Sequence, residues 1–315
     1  MRHQNRSVSS SPNAWRGNGT AQAMKAERSS LSARVVAVLA CVGLASALFA
    51  SMPGATANEI SQAFRPHKTG SHLRIDHSAW DGLLKTYVKP AADGVNRVDY
   101  RAFKSTGHEQ LKRYIARLEQ VDPAQLSQGE QMAFWINLYN AKTIDIVLEH
   151  YPVKSIREIS LGDSLLGFLK SSVGAGGPWK AEVLKVNGRA LSLDTIEHDI
   201  LRPLYRDPRV HYAVNCASYG CPNLQAAAFT GATLERQLDA GARAYINHPR
   251  GFAVEGGRVT ASSIYDWFQS DFGGSAAGVL DHARGYANAR LKSALAGRTP
   301  IDSYAYDWRL NDITR

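Results

Sequence analysis

The chain has 315 residues, 44% of them hydrophobic, with 37 basic against 28 acidic side chains, a formal charge of +9. Six of those basic residues and one acid lie within the first 57, so residues 58–315 carry 31 against 27, or +4. No lysine/arginine cluster interleaved with aromatics remains, and nucleic-acid binding is set aside.

Residues 1–34 are polar and basic, VVAVLACVGLASALFA (35–50) is apolar, and Ala55-Thr56-Ala57 follows as a small-residue cleavage site. Basic, apolar, then A-x-A reads as a secretory signal peptide over residues 1–57, with an unusually long basic part. The alternative is an uncleaved membrane anchor, but a run of sixteen residues falls short of the roughly 20 a span needs. Cys41 does not fit a lipoprotein site, because Leu39 stands where a small residue is expected. The expectation is a periplasmic or secreted protein of 258 residues, with no stable membrane insertion after processing.

Residues 58–74 are polar and expected to form a flexible lead-in. HSAWDGLLKTYVK (77–89) has helical apolar spacing, VDYRAF (98–103) reads as extended, and HEQLKRYIARLEQV (108–121) places Leu111, Tyr114, Ile115 and Leu118 on one helical stripe. Residues 127–152 leave almost no polar face, which predicts a helix buried on most sides. Asn137 and Asn140 share one face of it, and each buried amide left unpaired would cost on the order of 1–3 kcal/mol. SSVGAGGPW (171–179) lacks both the P-loop and the dinucleotide pattern and reads as a mobile loop or lid, so no cofactor is expected. AEVLKVNGRALSL is a hairpin turning at Asn187-Gly188, followed by a helix DTIEHDILRPLY. RVHYAVNC (209–216) reads as a strand and residues 233–248 as a helix. GFAVEGGRVTAS is a hairpin around Gly256-Gly257, two further helices follow, and the chain closes on an extended segment. Helix with four to six short strands and no βαβ alternation makes the class α+β, a mainly helical single domain over residues 75–315.

Five stretches in order, AFWINLYNAKT (133–143), LSLDTIEHDILR (191–202), VHYAVNCASYGCPNL (210–224), SSIYDWFQSDF (262–272) and YAYDWRLN (304–311), resemble the DUF547 family, a domain of unknown function. The resemblance covers residues 75–312. Its motif positions are Asn137, Tyr139, Asn140, Glu197, His198, Arg202, His211, Cys216, Pro222, Trp267, Asp271, Asp307, Trp308 and Asn311. The resemblance implies an exported bacterial protein and carries no assigned reaction. In plant members serine often stands where Cys221 sits.

Cys216 and Cys221 admit three readings. As a disulfide they would close a six-residue loop worth only about 2 kcal/mol, a staple for a non-catalytic binding or scaffolding domain. As a nucleophile, Cys216 would sit at a strand end entering a helix start, with His198 beside Glu197, or His211, as its base. His211 and Cys216 are five apart, so an extended strand would point them to opposite faces unless the chain turns at Asn215. Asn137 or Asn140 would then orient the imidazole or line an oxyanion site, giving a cysteine-dependent hydrolase or acyltransferase for a peptide-like or amide substrate or protein partner. The arrangement of a cysteine near a helix start is similar to that in papain and the transglutaminases. As a metal site, His211, Cys216 and Cys221 with His198 or His248 fit zinc spacing less well. Trp267, Trp308 and Phe134 are expected in the core.

Overall fold

Helix α1 (Ala57–Phe64) opens the visible chain within the stretch expected as a lead-in. Thr56 and Glu59 form a reciprocal capping box there, and Ile60 and Phe64, four apart, bury one face. The computed structural model describes residues 56–161, 177–298 and 300–314. The body of the expected signal peptide and most of the expected Gly/Ser loop therefore lie outside the described residues.

Helix α2 (Ser78–Tyr87) buries Trp80, Leu83, Leu84 and Tyr87, and leads into the short antiparallel pair β1 (Val88–Lys89) and β2 (Arg97–Val98). VDYRAF is extended only at its start. The Asp99 carboxylate accepts the Ala102 N–H and turns the rest into α3 (Tyr100–Thr106). Helix α4 (His108–Glu119) buries the four stripe residues predicted for it. Helix α5 (Gln128–His150) runs through the centre of the larger core, buried on every side from Glu130 to Ala141. His108 and Lys142 both bond the buried Asp145 carboxylate, at 2.7 and 2.8 Å, the former tying α4 to α5.

The predicted hairpin is β3 (Leu184–Val186) and β4 (Arg189–Leu191). Asn187 and Gly188 both take positive φ, +49° and +76°, the backbone that a two-residue turn of this hand requires. The next segment departs from a plain helix: Thr195–Leu201 is a π-helix, with the Arg202 N–H reaching back five residues to the Glu197 carbonyl, before the short α6 (Arg202–Tyr205). RVHYAVNC is not a strand. Asp207-Pro208 starts a 3₁₀ turn over Pro208–Tyr212, with the Asp207 side chain accepting the Arg209 N–H, and the chain bends at Ala217 just after Cys216.

Helix α7 (Leu234–Ile246), hairpin β5 (Phe252–Glu255) and β6 (Arg258–Ser262), α8 (Ile264–Trp267), α9 (Ala276–Tyr286) and α10 (Ala289–Ala294) follow. They enclose a second core around Tyr245, Tyr265, Phe272 and Leu280. Strand β7 (Ser303–Ala305) pairs parallel to β6, so the sheet order is β5-β6-β7 and the crossover passes through α8–α10. The fold is a mainly helical α+β domain, with seven short strands among the described residues rather than four to six. No described helix is long and apolar enough to cross a membrane.

Candidate active site

Cys216 and Cys221 are joined as a disulfide, with Cα atoms 6.2 Å apart. The loop that carries them is held from three directions. From below, the Asn140 amide of α5 donates to the Ala213 carbonyl at 2.9 Å and its oxygen accepts the Asn215 N–H at 2.8 Å. Within the loop, Asn215 bonds the Pro222 carbonyl and the Ala217 N–H. From the C-terminus, residues 307–311 suture it: Tyr219 and Gly220 donate to the carbonyls of Arg309 and Asp307, and Asn311 donates to that of Ala217. Gly220 is required at that approach, since a Cβ there would lie 2.8 Å from the Asp307 nitrogen. Ala217, directly after Cys216, is held at φ +60°, a strained conformation for a residue with a side chain and one that clusters at functional sites.

A cavity of about 300 Å³ opens on the disulfide. Glu197, His198, His211, Cys216 and Cys221 all line it, so with a 3₁₀ turn in place of the expected strand His211 and Cys216 both reach the one cavity. The π-helical turn carries both Glu197 and His198 to that cavity. Tyr139 of α5 donates its hydroxyl to Glu197 Oε2 at 3.0 Å. Burial first, and then the neighbouring Glu197 charge, push the Tyr139 phenol well above its ordinary range, so it remains a donor.

His211 is 2% exposed and its ring stacks on Phe268, with centroids 4.4 Å apart. Its Nε2 meets Asp271 Oδ2 at 2.7 Å, and its Nδ1 lies 4.0 Å from Glu197 Oε1. Arg202 grips the same Asp271 carboxylate with two nitrogens, at 2.6 and 3.0 Å. Burial pushes the Asp271 carboxyl up, but the bonds from His211 and Arg202 outweigh it and hold the group well below the usual carboxylate range. A carboxylate at Nε2 leaves Nδ1 as the nitrogen able to take a proton. His198 is differently placed, accepting from Arg202 Nη1 at 3.3 Å and lying 3.6 Å from Asp194.

Near the sulfurs stands Tyr306, whose hydroxyl lies 3.1 Å from Cys216 Sγ and 2.9 Å from Ser218 Oγ. Burial raises this phenol far above its usual range, so it too stays protonated. Trp267 and Trp308, expected in the core, stand at the cavity instead: Trp267 is 45% exposed and lies over Trp308 with centroids 5.6 Å apart. Phe134 is in the core as expected.

Neither amide of α5 lines the cavity. Asn137 closes a two-way bond with the Phe229 backbone and touches His77, so it orients no imidazole of the site. Asn140 acts one step away, through the loop backbone. His248 bonds the Asp93 carbonyl and the Arg250 N–H and does not line the cavity. His198 and His211 do share it with the cysteines, but both sulfurs are tied up in the disulfide, and among the described residues these ligand atoms do not gather closely enough to hold an ion. Asp271 is marked in the sequence only as a motif position of the resemblance, and Tyr306 is not singled out there; their site partners lie far off in sequence, His211 60 residues from Asp271 and Cys216 90 from Tyr306.

No curated protein and no solved structure matches this chain significantly. Residues 123–246, which span α5, the Glu197-His198 turn and the cysteine loop, match the profile of the family described as "Protein of unknown function, DUF547" and support that family for this stretch.

Proposed function

We propose that the protein is an exported, thiol-dependent hydrolase or acyltransferase of peptide-like amides, captured here in its oxidised, latent state. The observation that carries this reading is the placement of Cys216, Glu197 and an Asp271-oriented His211 around one cavity. Export is supported by the residue pattern of the first 57 positions and by a disulfide, which persists outside the reducing cytoplasm. Protein recovered from the extracellular or periplasmic fraction should have an intact mass that begins near Asn58; a product retaining residues 35–50 in the membrane would sink the export reading.

The chemistry runs in two stages. A dithiol reductant transfers two electrons to the Cys216–Cys221 bond and is itself oxidised to a disulfide, leaving two protonated thiols. His211 then takes the Cys216 proton at Nδ1, while Asp271 holds the opposite ring nitrogen and stabilises the imidazolium. The thiolate attacks the substrate carbonyl carbon, the amine leaves with the proton from His211, and water or an acceptor amine cleaves the thioester. Tyr306 donates to the oxyanion in this scheme. His211 replaces His198 as the preferred base because it alone of the two is locked by a carboxylate within hydrogen-bond distance.

Thiol counting separates this from the second reading, a binding domain in which the disulfide is a permanent staple. That reading is favoured by the bond itself. The native protein should show no free thiol beyond any contributed by Cys41, and gain two on mild treatment with a dithiol. Amide hydrolysis should appear only after that treatment. Reduction that yields two thiols but no iodoacetamide-sensitive turnover on any amide or thioester favours the staple.

A further inference from the structure

Three of the chain's six tryptophans, Trp179, Trp267 and Trp308, gather at the cavity. They arrive from segments remote in sequence: the loop before β3, the end of α8 and the chain after β7. Trp308 is the hub, with Trp179 edge-on at 5.8 Å and Trp267 stacked at 5.6 Å, while Tyr306 tilts against both Trp267 and Trp308. Core packing does not explain the cluster. Trp80 and Trp135 are buried to about 1% exposure or less, whereas Trp267 holds nearly half its surface in solvent at the mouth of a cavity. An exposed indole in a ring cluster beside a concave site is a common mark of ligand recognition.

We infer that this aromatic wall is the subsite for a neutral aromatic side chain of the substrate, adjoining the amide presented to Cys216. The inference takes the amide from the function proposed above but stands on its own as a binding site. Three features choose the occupant. The cavity, at about 300 Å³, lies at the small end of the range for ligand pockets and suits one ring with its linkage. Three of its polar groups are already hydrogen-bonded within the protein, Glu197 with Tyr139, His211 with Asp271, and Tyr306 with Ser218, which leaves few to receive a row of sugar hydroxyls. The charged lining groups besides the histidines are Asp194, Glu197 and Lys180, two acids against one base, which disfavours an anion and leaves a cation as the competitor to be tested. What remains on offer is ring face and ring edge, to which another ring packs offset or edge-on.

The test uses the full chain without reductant and N-acetylphenylalaninamide as the probe, followed through the indole N–H resonances. The signals of Trp179, Trp267 and Trp308 should shift together and saturably, while those of the buried Trp80 and Trp135 stay in place. N-acetylalaninamide should bind at least tenfold more weakly. Trp267→Ala should weaken the probe about tenfold with the thermal midpoint unchanged, since the side chain is 45% exposed, and Trp267→Phe should restore most of the loss. Equal binding of the alanine and phenylalanine amides, tighter binding of N-acetylglucosamine or tetramethylammonium, or an unaffected Trp267→Ala would each overturn the inference. Because nothing need turn over, binding without hydrolysis after reduction would remove the enzyme and leave the subsite. Hydrolysis indifferent to aromatic side chains would do the reverse.

Discussion

Cys221→Ser should hydrolyse amide or thioester substrates with no reductant present, and Cys216→Ser should fall at least about 10³-fold below it under any conditions, since loss of a nucleophile removes the covalent route. The two variants make a matched pair. Each breaks the same bond and opens the same six-residue loop, so each should lose about the same 2 kcal/mol of stability. A difference between them therefore reports chemistry and not folding. In Cys221→Ser the Cys216 sulfur stays beside Tyr306 and on the cavity wall with His211. In Cys216→Ser the surviving thiol is the buried Cys221, 3% exposed. Iodoacetamide labelling should follow the same order, fast for Cys216 and slow for Cys221, and His211→Ala should slow it further. Two equally inactive variants with equal stability losses would establish the staple as the whole role of the pair.

Asp271→Ala should cost about 2–3 kcal/mol in chemical denaturation at pH 7. Asp271 accepts four hydrogen bonds, one from His211, two from Arg202 and one from the exposed Ser270 hydroxyl, and its removal leaves the 2%-exposed imidazole and a half-buried guanidinium without their shared acceptor. Breaking a fully buried ion pair costs roughly 3–5 kcal/mol and an exposed one about 0–1; side-chain exposures of 24% for both Asp271 and Arg202 place this cluster between the two. The pH dependence has a definite sign. The folded-state pKa of Asp271 is depressed, so its contribution is complete above the unfolded aspartate value of about 3.9 and is lost as the pH falls toward the folded value. The stability gap between parent and variant should be full above about pH 5 and narrow in stronger acid. A gap constant down to pH 3 would show that packing, not the charge, does the work. On the thiol-dependent reading proposed above, the same variant after reduction should lower kcat more than KM, because Asp271 would orient the base without touching substrate.

Much of the helical framework is written in local periodicity. The stripe Leu111, Tyr114, Ile115, Leu118 and the continuous apolar run of α5 each name their buried face, because helical spacing alone decides which side chains can share one surface. The hairpin at Asn187-Gly188 is equally local, since only residues tolerating positive φ make that turn. Short elements were misread where one side chain outweighed propensity. Asp99 turned VDYRAF into a helix start, and Asp207-Pro208 turned RVHYAVNC into a 3₁₀ turn despite its strand-like alternation. That second error mattered most, because His211 lies on that turn and reaches the same cavity as Cys216.

The inventory of reactive groups, Cys216, Glu197, His198 and His211, was legible from residue type and spacing alone. Which of them act together was not. Asp271, Tyr306 and the tryptophans Trp267 and Trp308 meet the cysteine loop and His211 across gaps of tens of residues, through the parallel return of β7 and the C-terminal suture of the cysteine loop. Asn137 and Asn140 show the same limit from the other side: burial on α5 predicted that both would be hydrogen-bonded, yet only the packing decided that their partners are backbone groups. Sequence alone determined the longer helices, the hairpins at Asn187-Gly188 and Gly256-Gly257 and the list of chemically able residues, because those follow from the period of the backbone and the chemistry of side chains. Tertiary structure decided that Asp271 grips His211 and not His198, that the cysteines are paired, and that the tryptophans gather at the cavity, because each depends on distances between segments that no local pattern encodes.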